Sequence, residues 1–417
     1  VRKQDDKVAL VLAGGGLAGV VYEIGALRAI DDLLVDRTVN DFDIYVGTSA
    51  GALVAAAMAN RLSPEDMLQA IDGSHEELRP VDRRAVFNLN TGEFVRRGLG
   101  LPRTLLAAWS HYLRHSDDMT LFDAVWSLLE AMPSGLYDGM ALEGYVRNLL
   151  SAAGRSNRFE GTARDLHIIA TNLDTGQRVV FGRDSNPDVP ISLAVTASSA
   201  LPVLYKPVRI GDADYVDGGL RGAASLDVAI EHGAKLVICI NPLVPFDNQC
   251  QDSIPFLGPD GGNLSEKGVQ AIASQITRIT SHSSLHYHVK QLRRQHPEVD
   301  MILIEPRSDD FAMQFHNIMR YSTRLTVARH GFESVTVDLA ADYSKYKATL
   351  ARHGIPLSRR LVIAELAEIQ DSGCDPKVIR RVLEARSSGC NRGGRDTPVC
   401  RLTRALAELE LALDVVT

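Results

Sequence analysis

Apolar and polar positions in the first 60 residues follow a strand, turn, helix rhythm that occurs twice. Lys7 to Ala13 (KVALVLA) is a short, nearly continuous apolar run, the pattern of a strand covered on both faces. Gly14, Gly15 and Gly16 break it, and Val20 to Leu34 then spaces apolar residues as a helix does. Asp43 to Val46 predicts a second strand, ended by Gly47. Ala50 to Ala59 predicts a helix of small residues. This βαβα order implies a parallel sheet covered by helices.

The pattern then changes. Residues 63–150 predict a helical insertion, or cap. Strand signals return at Leu166 to Thr171 and Arg178 to Phe181, on either side of a turn at Asp174-Thr175-Gly176. Lys206 to Ile210 and Asp214 to Val216 flank a second turn at Gly211-Asp212, and a helix is expected over Ser225 to His232. Lys235 to Ile240 and Met301 to Ile304 predict buried strands. Beyond residue 307 the spacing is helical up to a Gly/Arg/Ser-rich stretch at Ser387 to Asp396. The pattern therefore divides the chain into an α/β domain over 1–306 and a helical C-terminal extension over 307–417.

Composition narrows the function classes. At 45% hydrophobic and 23% charged residues the chain is an ordinary globular one, and its net charge of -7 argues against a nucleic-acid partner. No run of 18 apolar residues is present, and Gly14 follows the first apolar run too soon for a signal-peptide core. A cytoplasmic or peripheral-membrane location is expected, although a chain starting at Val1 leaves a trimmed leader open. Five widely spaced cysteines predict no disulfide framework. His282 and His286 stand four apart, a spacing that can bind metal, but with His288 they read as a solvated helix face. Neither metal nor cofactor is expected.

Three loops carry candidate chemistry. Gly14 to Gly19 (GGGLAG) lies between strand and helix and satisfies the dinucleotide-binding pattern, yet the second strand ends in Val46-Gly47-Thr48-Ser49 rather than in a ribose-binding acid. The other use of such a loop is an oxyanion hole, whose backbone N–H groups hold a developing negative oxygen. Gly47-Thr48-Ser49-Ala50-Gly51 is G-x-S-x-G in the strand-to-helix setting that a nucleophilic serine needs, although a helix N-cap would also use Ser49. Asp217-Gly218-Gly219 puts a carboxylate at a strand end beside two glycines; a plain turn is the alternative.

The order GGGLAG, GTSAG, Ala197 to Pro202 (ASSALP) and DGG resembles the patatin-like phospholipases, over about residues 7–305. The resemblance implies an α/β/α sandwich with a central, mostly parallel sheet. It also implies a Ser/Asp dyad without histidine: Ser49 as nucleophile, Asp217 as general base, and Gly14, Gly15 and Gly16 as the oxyanion loop. Gly47, Gly51, Gly218 and Gly219 support the motifs. The implied activity is hydrolysis of fatty acyl esters of lipids through an acyl-enzyme. The match departs at Ala18, where the family usually carries Arg or Lys; Arg221 and Lys206, near the strand that ends in Asp217, are candidates to restore that charge. Ala18 keeps a catalytically weak, lipid-binding or regulatory member open. In the cap, Arg103 and Trp109 within a basic, Leu-rich segment suggest peripheral contact with lipid headgroups.

Overall fold

The computed structural model describes residues 6–35, 37–75, 78, 80, 86–97, 132–247, 263–308 and 321–384. The first strand, β1 (Lys7–Leu12), feeds through the triple glycine into α1 (Gly16–Leu33). β2 (Ile44–Thr48) is followed by α2 (Ala50–Ala59) and α3 (Pro64–Asp72). Ser63 caps α3 through the Asp66 N–H while Asp66 reaches back to the Ser63 N–H, a reciprocal box that fixes the helix start.

Of the expected cap, the described part includes α3, a helical stretch at 91–97, a short strand β3 (Gly135–Tyr137) and α4 (Met140–Leu150). The cap is therefore not wholly helical: β3 pairs in parallel with β6 (Val203–Tyr205), because an extended segment there finds a partner. Arg103, Trp109 and Trp126 lie outside the described residues, as do Cys250, Cys390, Cys400 and the stretch from Ser387 to Asp396.

The remaining strands are β4 (Asp165–Asn172), β5 (Arg178–Phe181), β7 (Val208–Ile210), β8 (Ala213–Asp217), β9 (Ala234–Ile240) and β10 (Asp300–Ile304). Between them lie α5 (Ile191–Ser198), α6 (Leu226–Glu231) and α7 (Val269–Gln295). The helices α8 (Tyr321–Ala341), α9 (Tyr343–Arg352), α10 (Arg360–Asp371) and α11 (Pro376–Glu384) follow.

Five strands run parallel in the order β10-β9-β1-β2-β4. Period-two alternation divides their side chains between two apolar layers. Val8, Leu10 and Leu12 face the layer that holds α1 and α2. Ala9, Val11 and Ala13 face the layer that holds α6 and α7. The result is an α/β/α sandwich with a mostly parallel sheet, as the resemblance implied.

Three antiparallel strands complete the sheet: β5 and β8 pair with β4, and β7 pairs with β8. β5 pairs with residues 168–171 of β4, which fixes it on the edge opposite β2. β8 pairs with residues 170–172, which β5 also pairs in part, so β8 lies on the β2 edge and continues where β2 stops. Thr48 is opposite Ile169, and Asp217 is opposite Ala170. The ends of two strands distant in sequence are thereby brought face to face.

α1 is buried around nearly its whole circumference, from Gly19 to Leu33. One side meets the sheet and the other meets α8. A Cβ on Gly25 would stand 1.9 Å from the Ala328 carbonyl oxygen, and one on Gly331 would stand 2.2 Å from that of Tyr22. Only glycine permits such backbone contact at both points. Arg28 of α1 is fully buried and meets three acids: Asp32 one turn on, Glu65 at 3.6 Å and Glu365 of α10 at 3.3 Å. The described part of the C-terminal segment, residues 321–384, thus packs into the α1 side of the core.

Candidate active site

Ser49 stands at the turn from β2 into α2 with φ +55° and ψ -118°. An L-residue visits this backbone region only under constraint, at about 1–3 kcal/mol. The constraint is visible. A Cβ on Gly47 would fall 2.5 Å from the Gly51 carbonyl oxygen, and one on Gly51 would fall 2.4 Å from that of Leu12. The glycines of the motif let α2 leave the strand end at once and press against β1. The turn presents the hydroxyl at the positive end of α2.

Two serines that the sequence did not single out hold this turn. The Ser49 N–H donates to Ser198 Oγ at 2.8 Å, and the Ser198 hydroxyl donates in turn to the Ile169 carbonyl at 2.5 Å. The Ser199 hydroxyl donates to the Ser49 carbonyl at 3.2 Å. Both belong to the block from Ala197 to Pro202, whose small polar residues at the end of α5 were the available signal. The same block supports β8, since the Asp217 N–H donates to the Ala200 carbonyl at 2.9 Å.

The Ser49 hydroxyl donates to Asp217 Oδ2 at 2.6 Å, across 168 residues of sequence. The other carboxylate oxygen accepts the Gly219 N–H at 2.7 Å. Gly218 allows the tight exit, for a Cβ there would meet the Ile169 carbonyl oxygen at 2.3 Å. Both side chains are buried, Ser49 at 8% and Asp217 at 4% exposure. Burial pushes the Asp217 carboxyl up from 3.8 to about 6, against the opposing pull of the Ser49 and Gly219 hydrogen bonds. Among the described residues no histidine hydrogen-bonds to either side chain.

The glycine loop divides its tasks. The Gly14 N–H donates to the Ala223 carbonyl at 3.1 Å, and a Cβ on Gly14 would lie 3.3 Å from Ser49 Cβ. Of the three glycines of the expected oxyanion loop, Gly14 already has its N–H engaged. A neighbouring carbonyl takes its N–H, and its missing side chain makes room for Ser49. No hydrogen bond among the described residues engages the Gly15 or Gly16 N–H. Gly15 rests on Pro242, whose Cγ a Cβ would approach to 2.5 Å. Gly16 adopts φ +60° at the first turn of α1, with no neighbour where a side chain would project.

The surroundings are apolar. Leu201 follows Ala200 with 40% exposure, and Leu220 follows the Asp217 turn with 56%. A cavity of about 40 Å³ lies among α1 to α4, lined by residues including Val20, Ile24, Leu53, Ala57 and Leu149. Leu53 is one helical turn past Ser49. Ala18 is half-buried in the first turn of α1, while Arg221 and Lys206 are exposed. No salt bridge among the described residues involves either cation. No helix among the described residues is long and apolar enough to cross a membrane.

The YqhO protein of Bacillus subtilis is 28% identical over 223 residues, covering 50% of this chain and 62% of its own length. A probable lipid hydrolase, 463L of Invertebrate iridescent virus 6, is 21% identical over 226 residues, 54% of this chain and 64% of its own. The chain thus matches under two thirds of the length of these relatives. Among solved structures, VipD from Legionella pneumophila aligns with a TM-score of 0.41 at 15% identity, over 82% of this chain and 68% of that one. The family model for the patatin-like phospholipases matches residues 10–230. With more than half of its length inside that match, this chain belongs to the patatin-like phospholipase family.

Proposed function

We propose that the chain is a lipid acyl-ester hydrolase in which Ser49 is the nucleophile and Asp217 the general base. The observation that carries this reading is the 2.6 Å hydrogen bond from the Ser49 hydroxyl to a desolvated carboxylate. A serine hydroxyl is a weak acid, and an ordinary carboxylate is a poor match for it. Burial raises the basicity of Asp217, and contact removes the cost of bringing the groups together.

Asp217 Oδ2 takes the hydroxyl proton as Ser49 Oγ bonds to the ester carbonyl carbon. The carbonyl oxygen becomes anionic, and the N–H groups of Gly15 and Gly16 are the free donors at the adjacent helix start. Each such donor is worth about 3–4 kcal/mol at the transition state. The proton passes from Asp217 to the leaving alcohol, and an acyl-Ser49 ester remains. Water then repeats the sequence: Asp217 takes its proton, oxygen bonds to the acyl carbon, and Ser49 Oγ leaves with that proton. The half-exposed Leu201 and Leu220 favour an acyl chain over a polar substituent.

The test is labelling and turnover. Wild-type protein is expected to release fatty acid from long-chain p-nitrophenyl esters and lysolipids, and to react with a fluorophosphonate at Ser49. Ser49→Ala is expected to abolish both. Liposome binding by wild type with no esterase activity and no label would instead support the lipid-binding reading suggested by Ala18. Undiminished turnover in Ser49→Ala would overturn the assignment of the nucleophile.

A further inference from the structure

A second cluster of chemically capable side chains lies outside the Ser49 site. His282 and His286 stand one turn apart on α7, and β10 delivers Glu305 to them from its C-terminal end. Glu305 Oε1 is 3.6 Å from His282 Nε2, and Oε2 is 2.8 Å from His286 Nε2. The two imidazole rings are 4.1 Å apart between centroids. The ligand atoms of all three residues lie within 4.8 Å of one another. His288 departs from this group, because its Nε2 is directed to Asp227 at 3.9 Å.

We propose that His282, His286 and Glu305 form a binding site for a divalent transition-metal ion of the zinc class. Two imidazole nitrogens and one carboxylate oxygen are a ligand set that such ions favour. An i, i+4 histidine pair on one helix face presents both nitrogens to the same side. The carboxylate is held in advance: Asn241, fully buried after β9, donates through Nδ2 to Glu305 Oε1 at 2.7 Å. Asn241 is itself fixed, for its N–H donates to the Ile304 carbonyl at 2.9 Å and its Oδ1 accepts the Leu243 N–H at 3.1 Å. A hydrogen-bonded outer partner of this kind orients the ligand and strengthens metal binding.

The partial exposure of His282 (29%), His286 (48%) and Glu305 (16%) gives an ion an entry path and leaves room for water to complete its coordination. An ion about 2.0–2.2 Å from each ligand atom fits this spacing after small side-chain rotations. It would replace the His286–Glu305 hydrogen bond, with both imidazoles neutral. The site also adjoins the glycine loop through the backbone. Pro242 follows Asn241 directly and is the residue on which Gly15 and Gly19 rest. This site is independent of the acyl-hydrolase reading, since none of its ligands touches Ser49 or Asp217.

The experiment uses the full chain without a polyhistidine tag, stripped by chelator and titrated with Zn2+ by calorimetry and with Co2+ by visible absorption at neutral pH. One equivalent of Zn2+ is expected, with intense ligand-field bands for Co2+. His286→Ala and Glu305→Gln are each expected to weaken binding by about 100-fold or more, with far-UV circular dichroism unchanged in the absence of metal. His288→Ala should bind as wild type does. Absence of saturable binding to wild type, or binding that survives unchanged in both His286→Ala and Glu305→Gln, would overturn the proposal.

Discussion

Replacing Asp217 by Asn tests base and burial together. Asparagine keeps the shape, and its carbonyl can still accept the Gly219 N–H, but it cannot take a proton from Ser49. General-base catalysis of this type is worth about 10²–10⁴ in rate, so turnover of a p-nitrophenyl ester should fall by that factor or more. Stability should change in the opposite direction. Raising the carboxyl from 3.8 to about 6 means that the folded chain resists its charge by about 3 kcal/mol. Below pH 3.8 both folded and unfolded chains hold the proton, and there is no penalty. Between 3.8 and about 6 the unfolded chain releases its proton while the folded chain retains it, so stability is lost as pH rises; the loss is complete above that range. The neutral amide escapes it. For 417 residues, about 3 kcal/mol corresponds to roughly 3 °C in Tm. Asp217→Asn should therefore melt about 3 °C above wild type at neutral pH and together with it near pH 4. The same titration governs activity: wild-type kcat/KM should rise with pH through about 6, as the base loses its proton. Melting curves at several pH values and the pH–rate profile supply both readouts. A Tm difference independent of pH, or wild-type turnover in the variant, would refute the reasoning.

Three further substitutions test the frame around the site. Gly51→Ala would place a methyl 2.4 Å from the Leu12 carbonyl oxygen in the central strand, and should cost at least about 3 kcal/mol in urea unfolding. Gly16→Ala, with φ +60° but open space around it, should cost only about 1 kcal/mol. Arg28→Met removes a buried cation that faces Asp32, Glu65 and Glu365, and should destabilise by about 3–5 kcal/mol, read as a lower Tm at neutral pH.

The sequence by itself determined the local elements and which side chains are candidates for the chemistry. Continuous apolar runs such as KVALVLA can be satisfied only between two covering layers, so the parallel core was legible from pattern alone. Gly47, Ser49 and Gly51 announced the elbow, because their spacing reflects a steric demand of one short turn. Only the tertiary structure decided what was non-local. That Ser49 meets Asp217 depends on β8 taking the β2 edge of β4, a choice of strand pairing that no short-range pattern encodes. The task of Gly14 was hidden because its partner, the Ala223 carbonyl, lies more than 200 residues away. Glu305 likewise joins His282 and His286 only when β10 is laid beside β9. Burial, and with it the raised basicity of Asp217, comes from the assembled layers around the side chain. A sequence records which groups are present, whereas desolvation and convergence are properties of the packed chain.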